Sequence, residues 1–161
     1  MMNHVKRTLS LSVAGVALLI GSTAVADGKN YPASNCVVWS GGAISYNLSA
    51  IFNYTGSNTY VDCPAVKDAT SIASGYVKAK DRSPGSGVEC SLSSLYVSGA
   101  GFFGWQSAPV STGGSADNWQ TLSYGALGAN SAGYYYYSCV IPPVSGGNAS
   151  GIAMYHITEN P

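Results

Sequence analysis

The sequence predicts an all-β protein, an antiparallel two-sheet sandwich of jelly-roll type with two disulfides. Three observations point there. Tyr, Val, Ser, Thr and Gly dominate after residue 30, whereas strong helix formers are scarce, which is a composition of strands and turns. Short apolar–polar runs alternate with Gly, Ser, Asn and Pro clusters, the pattern of a sandwich or barrel. No stretch of about 11 residues carries a helical stripe of apolar side chains. A closed barrel is the second architecture that this pattern allows.

The first segment reads as a cleavable secretory signal. His4, Lys6 and Arg7 give a basic start, Leu9 to Ile20 an apolar centre, and Ala24-Val25-Ala26 an exit with small residues where signal peptidase reads. The apolar run is short of the roughly 20 residues that span a bilayer, which weighs against the rival reading of an uncleaved anchor. No twin arginine precedes the run and no lipoprotein Cys follows it, so Sec-type export to a periplasm or to the outside is expected. Removing residues 1–26 of 161 leaves 135, one domain over 27–161. No later segment is apolar enough to be a second span.

That domain keeps five basic residues against seven acidic ones, a formal charge of −2. Nucleic-acid binding and charge-driven attachment to a membrane surface are therefore not expected. Charged residues make up only 9 % of the chain. Polarity comes from Ser, Thr, Gly, Asn and Tyr instead, which suits an exported protein.

Ten strands are expected in order: Asn35–Trp39, Ala43–Tyr46, Ala50–Tyr54, Thr59–Pro64, Gly75–Asp81, Val88–Val97, Gly101–Ser107, Gln120–Tyr124, Tyr134–Ile141 and Gly151–Thr158. Turn clusters such as Gly41-Gly42, Ser83-Pro84-Gly85 and Ser145-Gly146-Gly147-Asn148 separate them. Alternation assigns the faces. Val61 and Cys63 turn inward and Tyr60 and Asp62 outward. Val77 and Ala79 oppose Tyr76, Lys78 and Lys80. Tyr135, Tyr137, Cys139 and Ile141 share the core face, leaving Tyr134, Tyr136 and Ser138 outside.

All four cysteines lie after the signal, and an even count in an exported chain reads as two disulfides. Three pairings are open. Cys36–Cys63 with Cys90–Cys139 is the favoured one, because each bond closes a contiguous segment, with one disulfide in each half of the sandwich. A metal site is the other use of four cysteines, but no C-x-x-C pair is present and only one His follows the signal.

Several of these segments resemble a group of small exported bacterial β-sandwich proteins to which no activity is assigned. The residues that carry the resemblance are Cys36, Ile51-Phe52-Asn53, Val61-Asp62-Cys63-Pro64 with Asp68, Val77–Asp81, Cys90-Ser91-Leu92, Leu122-Ser123-Tyr124-Gly125, Tyr135–Cys139 with Val140-Ile141-Pro142-Pro143, and Gly151-Ile152 through Tyr155 to Glu159. The resemblance spans most of the domain and implies a disulfide-stapled, exported sandwich with strand–Cys–Pro endings. It implies no catalytic residues. Members of the group often carry further cysteines in the middle region, which this chain lacks.

Catalytic constellations are thin. Nucleophilic catalysis wants a His beside a Ser or Cys, yet only His156 remains and no G-x-S-x-G elbow exists. With Tyr155 and Ile157 facing the core, His156 should face out and be solvated. Glycoside hydrolysis needs two carboxylates across a cleft. Asp62 and Glu89 flank cysteines and should point away from the core, while Asp68 and Asp81 should cap turns. No D-x-D-x-D-G loop marks a calcium site. No enzyme, cofactor or metal site is therefore expected, and a secreted hydrolase is the least favoured of three classes.

Aromatic residues remain, with 12 Tyr and 3 Trp. Their flat apolar faces and polar edges suit stacking on sugar rings and contact with proteins. Trp119, Tyr134, Tyr136 and Trp105 are the candidate binding residues. The plainer reading of Tyr134 and Tyr136 is that they stabilise a low-charge sheet by cross-strand pairing. The expected function is a non-catalytic module that binds a glycan or a protein through exposed aromatics. A structural or surface-coat role without a small ligand is the second class.

Overall fold

The computed structural model describes residues 26–114, 117–128 and 133–160; the expected signal lies outside them except for Ala26. The regular structure of the described chain is almost all strand, in two antiparallel sheets. In order come β1 (Gly28–Pro32), a 3-10 turn at Ala33–Asn35, β2 (Val37–Gly41), β3 (Ile44–Asn47), β4 (Ala50–Asn53), β5 (Thr59–Ala65), β6 (Ser71–Lys80) and β7 (Glu89–Ser98). Then follow β8 (Gly101–Gln106), β9 (Val110–Ser111), β10 (Gln120–Tyr124), β11 (Leu127–Gly128), β12 (Tyr134–Ile141) and β13 (Ser150–Asn160).

The back sheet runs β10-β6-β13-β4-β3, with β1 pairing β13 beyond β4 and β11 pairing β6 beyond β10. The front sheet runs β2-β5-β12-β7-β8, with β9 pairing β7. Counting β4, β5, β6, β7, β8, β10, β12 and β13 as strands 1 to 8 gives 6-3-8-1 in the back sheet and 2-7-4-5 in the front. That interleaving of two Greek keys is the jelly roll.

The strands form where alternation predicts, and three more appear. β9 and β11 are two residues each and pair only at sheet edges. β1 reads Gly-Lys-Asn-Tyr-Pro, which has no apolar alternation, and it becomes a strand because β13 offers it an edge from Met154 to Thr158. Register slips between Ile152 and Met154 in β13. The extra residue lets Ile152 and Tyr155, three apart, both enter the core.

Cys36 is bonded to Cys63 and Cys90 to Cys139. The placement differs from one bond in each half of the sandwich, because both lie in the front sheet. Cys90 and Cys139 are register partners on β7 and β12, and Cys36 bonds to β5 beside the Val37–Asp62 pair. Direct opposition on adjacent antiparallel strands brings each pair of Cα atoms to about 4 Å, close enough to bridge.

The core lies between the sheets and is rich in tyrosine. Tyr135, Tyr137 and Tyr155 are fully buried. Each phenol reaches a backbone carbonyl beyond its own sheet. Tyr135 donates to Ala69 O (3.0 Å), Tyr137 to His156 O (2.8 Å) and Tyr155 to Pro64 O (2.6 Å). Tyr124 in the back sheet donates to Cys90 O in the front sheet (2.8 Å). Burial pushes Tyr135 and Tyr155 up to about 12, so these phenols stay protonated as donors. Gly75 on β6 makes room for this, since a Cβ there would sit 2.0 Å from the Tyr137 hydroxyl.

Lys29 on β1 clasps the ends of the fold. Its ammonium lies 2.6 Å from Asp68, 2.6 Å from Glu159 and 3.4 Å from Asp27. Glu159 is buried and also accepts the N–H groups of Asp68 (2.9 Å) and Ala69 (3.0 Å). Burial alone would raise the Glu159 carboxyl, but Lys29 and these amides carry it below the usual range.

Three stability predictions follow from this packing. Tyr137→Phe should cost about 1–2 kcal/mol in chemical denaturation, and Gly75→Ala combined with it should cost less than the sum of the two, because the hydroxyl that the new methyl meets is gone. By loop closure, opening Cys90–Cys139 should destabilise by about 4 kcal/mol and opening Cys36–Cys63 by about 3.5, measured on double Cys→Ala variants. A Glu159 carboxyl depressed in the fold contributes stability that is present above its unfolded value, about 4.3, and lost as pH falls through the folded value. Lys29→Met should therefore flatten the acid limb of the stability–pH curve.

Candidate functional site

The outward face of the front sheet carries the candidate site. Strand pairing lays its outward residues in rows across the sheet. One row reads Pro64, Tyr136, Ser93 and Gln106, and the next reads Val37, Asp62, Ser138 and Ser91. A third reads Tyr60, Val140, Glu89 and Ser111. Tyr134 sits beside Leu95 on the far side of Tyr136. Two aromatic groups thus bracket a polar band.

Tyr134 and Tyr136, two residues apart on β12, stack with ring centroids 5.8 Å apart and planes inclined by 28°. Tyr134 is exposed and Tyr136 half-buried. Burial pushes the Tyr136 phenol above its ordinary value, opposed by the Ser93 hydroxyl in the same row. The opposite bracket is Trp39 against Tyr60, with centroids 5.2 Å apart. From the rise per residue, the four positions from Tyr136 to Val140, the Tyr60 row, span roughly 13 Å.

Between the brackets lie Asp62, Ser138, Ser91 and Gln106. Gln106 Nε2 donates to Ser91 Oγ (2.8 Å). The Ser138 hydroxyl and the Trp39 indole lie near enough to Asp62 to favour its charged form. Its Oδ1 is buried without a partner. Burial pushes the Asp62 carboxyl up, opposed by those two donors. The Trp39 ring beside it is 59 % exposed. Past Tyr60 the face opens into a cleft of about 440 Å³ that includes Glu89, Ser111, Val140 and Pro142.

Of the sequence candidates, Tyr134 and Tyr136 come together here, and the other two do not join them. Trp105 opposes Ser94, a core-side residue of β7, so it leaves the other side of the front sheet. Its ring lies against β11, 3.3 Å or less from where a Cβ on Gly128 would be. Trp119 belongs to the back sheet. It packs on Phe52 (centroids 6.1 Å apart), with the Lys80 ammonium 5.7 Å from its ring. Trp39, Tyr60 and the serine row, which sequence reasoning gave no binding role, take their place beside Tyr134 and Tyr136.

His156 faces outward as expected, on the back sheet, but it is not simply solvated. It stacks on Tyr76 (4.8 Å), while Nδ1 meets Asn30 Oδ1 at 2.9 Å and Nε2 meets Thr158 Oγ1 at 2.8 Å. Burial lowers its pKa. Asp81 does form a turn cap, accepting Ser83 N–H at 2.8 Å. Asp68 instead pairs with Lys29. Among the described residues, Asp27, Asp68 and Glu159 form the carboxylate group tight enough to hold a metal, and the Lys29 ammonium lies among them.

Fold and face together define a jelly-roll sandwich that presents aromatic brackets on one sheet. No family model and no curated protein matches the chain. Among solved structures it is similar to the CBM36-1 domain of a multidomain xylanase from the hindgut metagenome of Trinervitermes trinervoides. That match has a TM-score of 0.49 and 9 % identity over 84 % of this chain and 98 % of the other. It is also similar to the C-terminal CBM6 of a marine laminarinase from Zobellia galactanivorans, with a TM-score of 0.48 and 15 % identity over 83 % of this chain and all of the other. A third is a family two carbohydrate esterase from Cellvibrio japonicus, with a TM-score of 0.48 and 9 % identity over 84 % of this chain. The chain spans only 35 % of the esterase's length. No helix among the described residues is long and apolar enough to cross a membrane.

Asp62 yields a prediction of definite sign. A carboxyl raised in the fold is favoured in its neutral form, so the fold gains stability as pH falls through the Asp62 value. Asp62→Asn, similar in shape and uncharged, should melt higher than the wild type at pH 7. The difference should shrink in melts taken toward pH 4.

Proposed function

We propose that this chain is an exported, non-catalytic glycan-binding module, and that a sugar chain lies across the outward face of the front sheet. The observation that carries the reading is the stacked Tyr134–Tyr136 pair facing Trp39 and Tyr60 across a band of hydroxyl and amide groups. Sugar rings have apolar faces that stack on aromatic planes and rims of hydroxyls that pair with Ser and Gln. The trough between the brackets is wide enough for about two sugar rings on the strand-rise estimate. Residues 1–26 are the export signal in this reading and 27–161 the working domain, in a periplasm or outside the cell. Two disulfides and a sparsely charged surface suit such a compartment.

Catalysis is disfavoured by the way the carboxylates are used. Asp62 lies beside Trp39 and Ser138 with no second carboxylate in its row, and His156 stands on the other sheet with both ring nitrogens engaged. A surface-coat role is the second reading. It is supported by Val97 and Phe102, a register pair at the end of the front sheet that are 61 % and 72 % exposed.

The test is a glycan-array screen of the 27–161 domain, followed by titration of the best ligand. Tyr136→Ala should weaken binding by about 1–3 kcal/mol, with Trp39→Ala similar. Trp119→Ala should leave that affinity unchanged, since Trp119 stands on the back sheet. Binding should vary little between low and high salt, because stacking and neutral hydrogen bonds carry it. Normal binding by both bracket variants would overturn the reading.

A further inference from the structure

The back sheet carries a second arrangement, independent of the front-sheet trough. Five cations follow the expected signal, and three of them, Lys78, Lys80 and Arg82, stand at every second position at the end of β6. Lys78 and Lys80 project outward there, where the Lys78 ammonium donates to Thr121 Oγ1 (2.5 Å) and lies 6.0 Å from the Tyr76 ring. Lys80 lies in the row Phe52, Gly151, Lys80, with Trp119 at its end. Gly151 keeps the row open, since a Cβ there would lie 2.6 Å from the Phe52 ring. Two aromatic rings thus flank a cation on a flat strand surface.

A single carboxylate serves two of these cations. Asp117 Oδ1 is 2.6 Å from Lys80 Nζ and accepts Arg82 Nε at 2.7 Å, together with a terminal guanidinium nitrogen of Arg82. Those contacts converge on one oxygen, and the Asp117 side chain is 74 % exposed. The other described acids are placed elsewhere. Asp27, Asp68 and Glu159 surround Lys29, Asp62 and Glu89 belong to the front sheet, and Asp81 is buried as a turn cap. The back-sheet face therefore carries three cations against one carboxylate on a chain of no excess positive charge, and its neighbour His156 is held toward its neutral form.

We propose that Lys80, Arg82 and Trp119 form a binding site for a carboxylated sugar chain, with Asp117 standing in for the ligand's carboxylate until it is displaced. The cations show the geometry with which they take a carboxylate, and the Trp119 plane lies two residues from that carboxylate, where a pyranose ring attached to it would stack. Because Asp117 competes from within, the free site is only fractionally available, and apparent affinity is lowered by that fraction. Exposed ion pairs of this kind are weak, so exchange with a ligand carboxylate costs little.

The experiment is calorimetric titration of the 27–161 domain with oligogalacturonate at low salt, with thermal melts confirming that each variant is folded. Asp117→Asn, which frees both cations, should bind about fivefold or more tightly than the wild type. The double variant Lys80→Gln, Arg82→Gln should lose at least about tenfold, and Trp119→Ala should also weaken binding. Tyr136→Ala should bind as the wild type does, which separates this site from the front-sheet trough. Affinity should fall as salt rises, and neutral dextran should not compete. Polyaspartate, which has carboxylates but no rings, should compete poorly. The proposal fails if Asp117→Asn binds no tighter than wild type, or if polyaspartate competes as well as the uronate chain.

Discussion

Everything on the surface of this domain depends on phenols hydrogen-bonded across its core. A two-sheet sandwich usually fills its interior with aliphatic side chains, whose contacts fix spacing but not lateral position. Here Tyr135, Tyr137, Tyr155 and Tyr124 each end on one particular carbonyl beyond their own sheet. The bonds of Tyr137, Tyr155 and Tyr124 set where one sheet lies over the other, that of Tyr135 holds the β5–β6 connection, and each satisfies a polar group that would be costly to bury alone. The rings also touch in series, Tyr31 on Tyr155, Tyr155 on Tyr137 and Tyr137 on Tyr124. Gly75 is the concession that the backbone makes to this arrangement.

The same rule divides the tyrosines between structure and surface. β12 holds four in succession, and its alternation sends Tyr135 and Tyr137 into the core and Tyr134 and Tyr136 outward. The inner pair fixes the strand against the back sheet, so the outer pair is presented from a rigid base. Both disulfides lie in this front sheet and tie β2 to β5 and β7 to β12. The sheet that displays the aromatic brackets is therefore the one with covalent reinforcement, while the back sheet relies on hydrogen bonds and on the Lys29 clasp.

The faces of the individual strands were legible in the sequence because alternation with period two needs no partner to be read. Alternation alone turns Tyr60, Asp62, Tyr134, Tyr136 and Ser138 outward, and they are outward. What alternation cannot supply is which strands stand side by side. β5 and β12 are adjacent although some 70 residues separate them, and only that pairing sets Asp62 beside Ser138. Trp105 and Trp119 resembled Tyr134 and Tyr136 as exposed aromatics, yet one sits on the inner side of an edge strand and the other on the opposite sheet. Trp39 carried no signal of its own, since it meets Tyr60 only once β2 pairs with β5. The Lys29 cluster draws on residues 27, 68 and 159, a spacing without any local pattern.

The pairing of β1 with β13 also has a mechanical meaning. The strands are antiparallel, with Gly28 opposite Thr158, so both ends of the sandwich leave from the same end of the back sheet. Tension applied through those ends does not shear the ladder as a whole. It peels β1 away one residue pair after another, starting near the contacts of Lys29 with Glu159. Rupture in that geometry is gradual and needs little force, but it soon meets a stop. Once strands begin to detach, Cys36–Cys63 and Cys90–Cys139 withhold the 27- and 49-residue segments that they span from the extending chain. A domain tethered between two surfaces would thus yield early and stretch only part of its length, behaving as a short compliant link with a fixed limit.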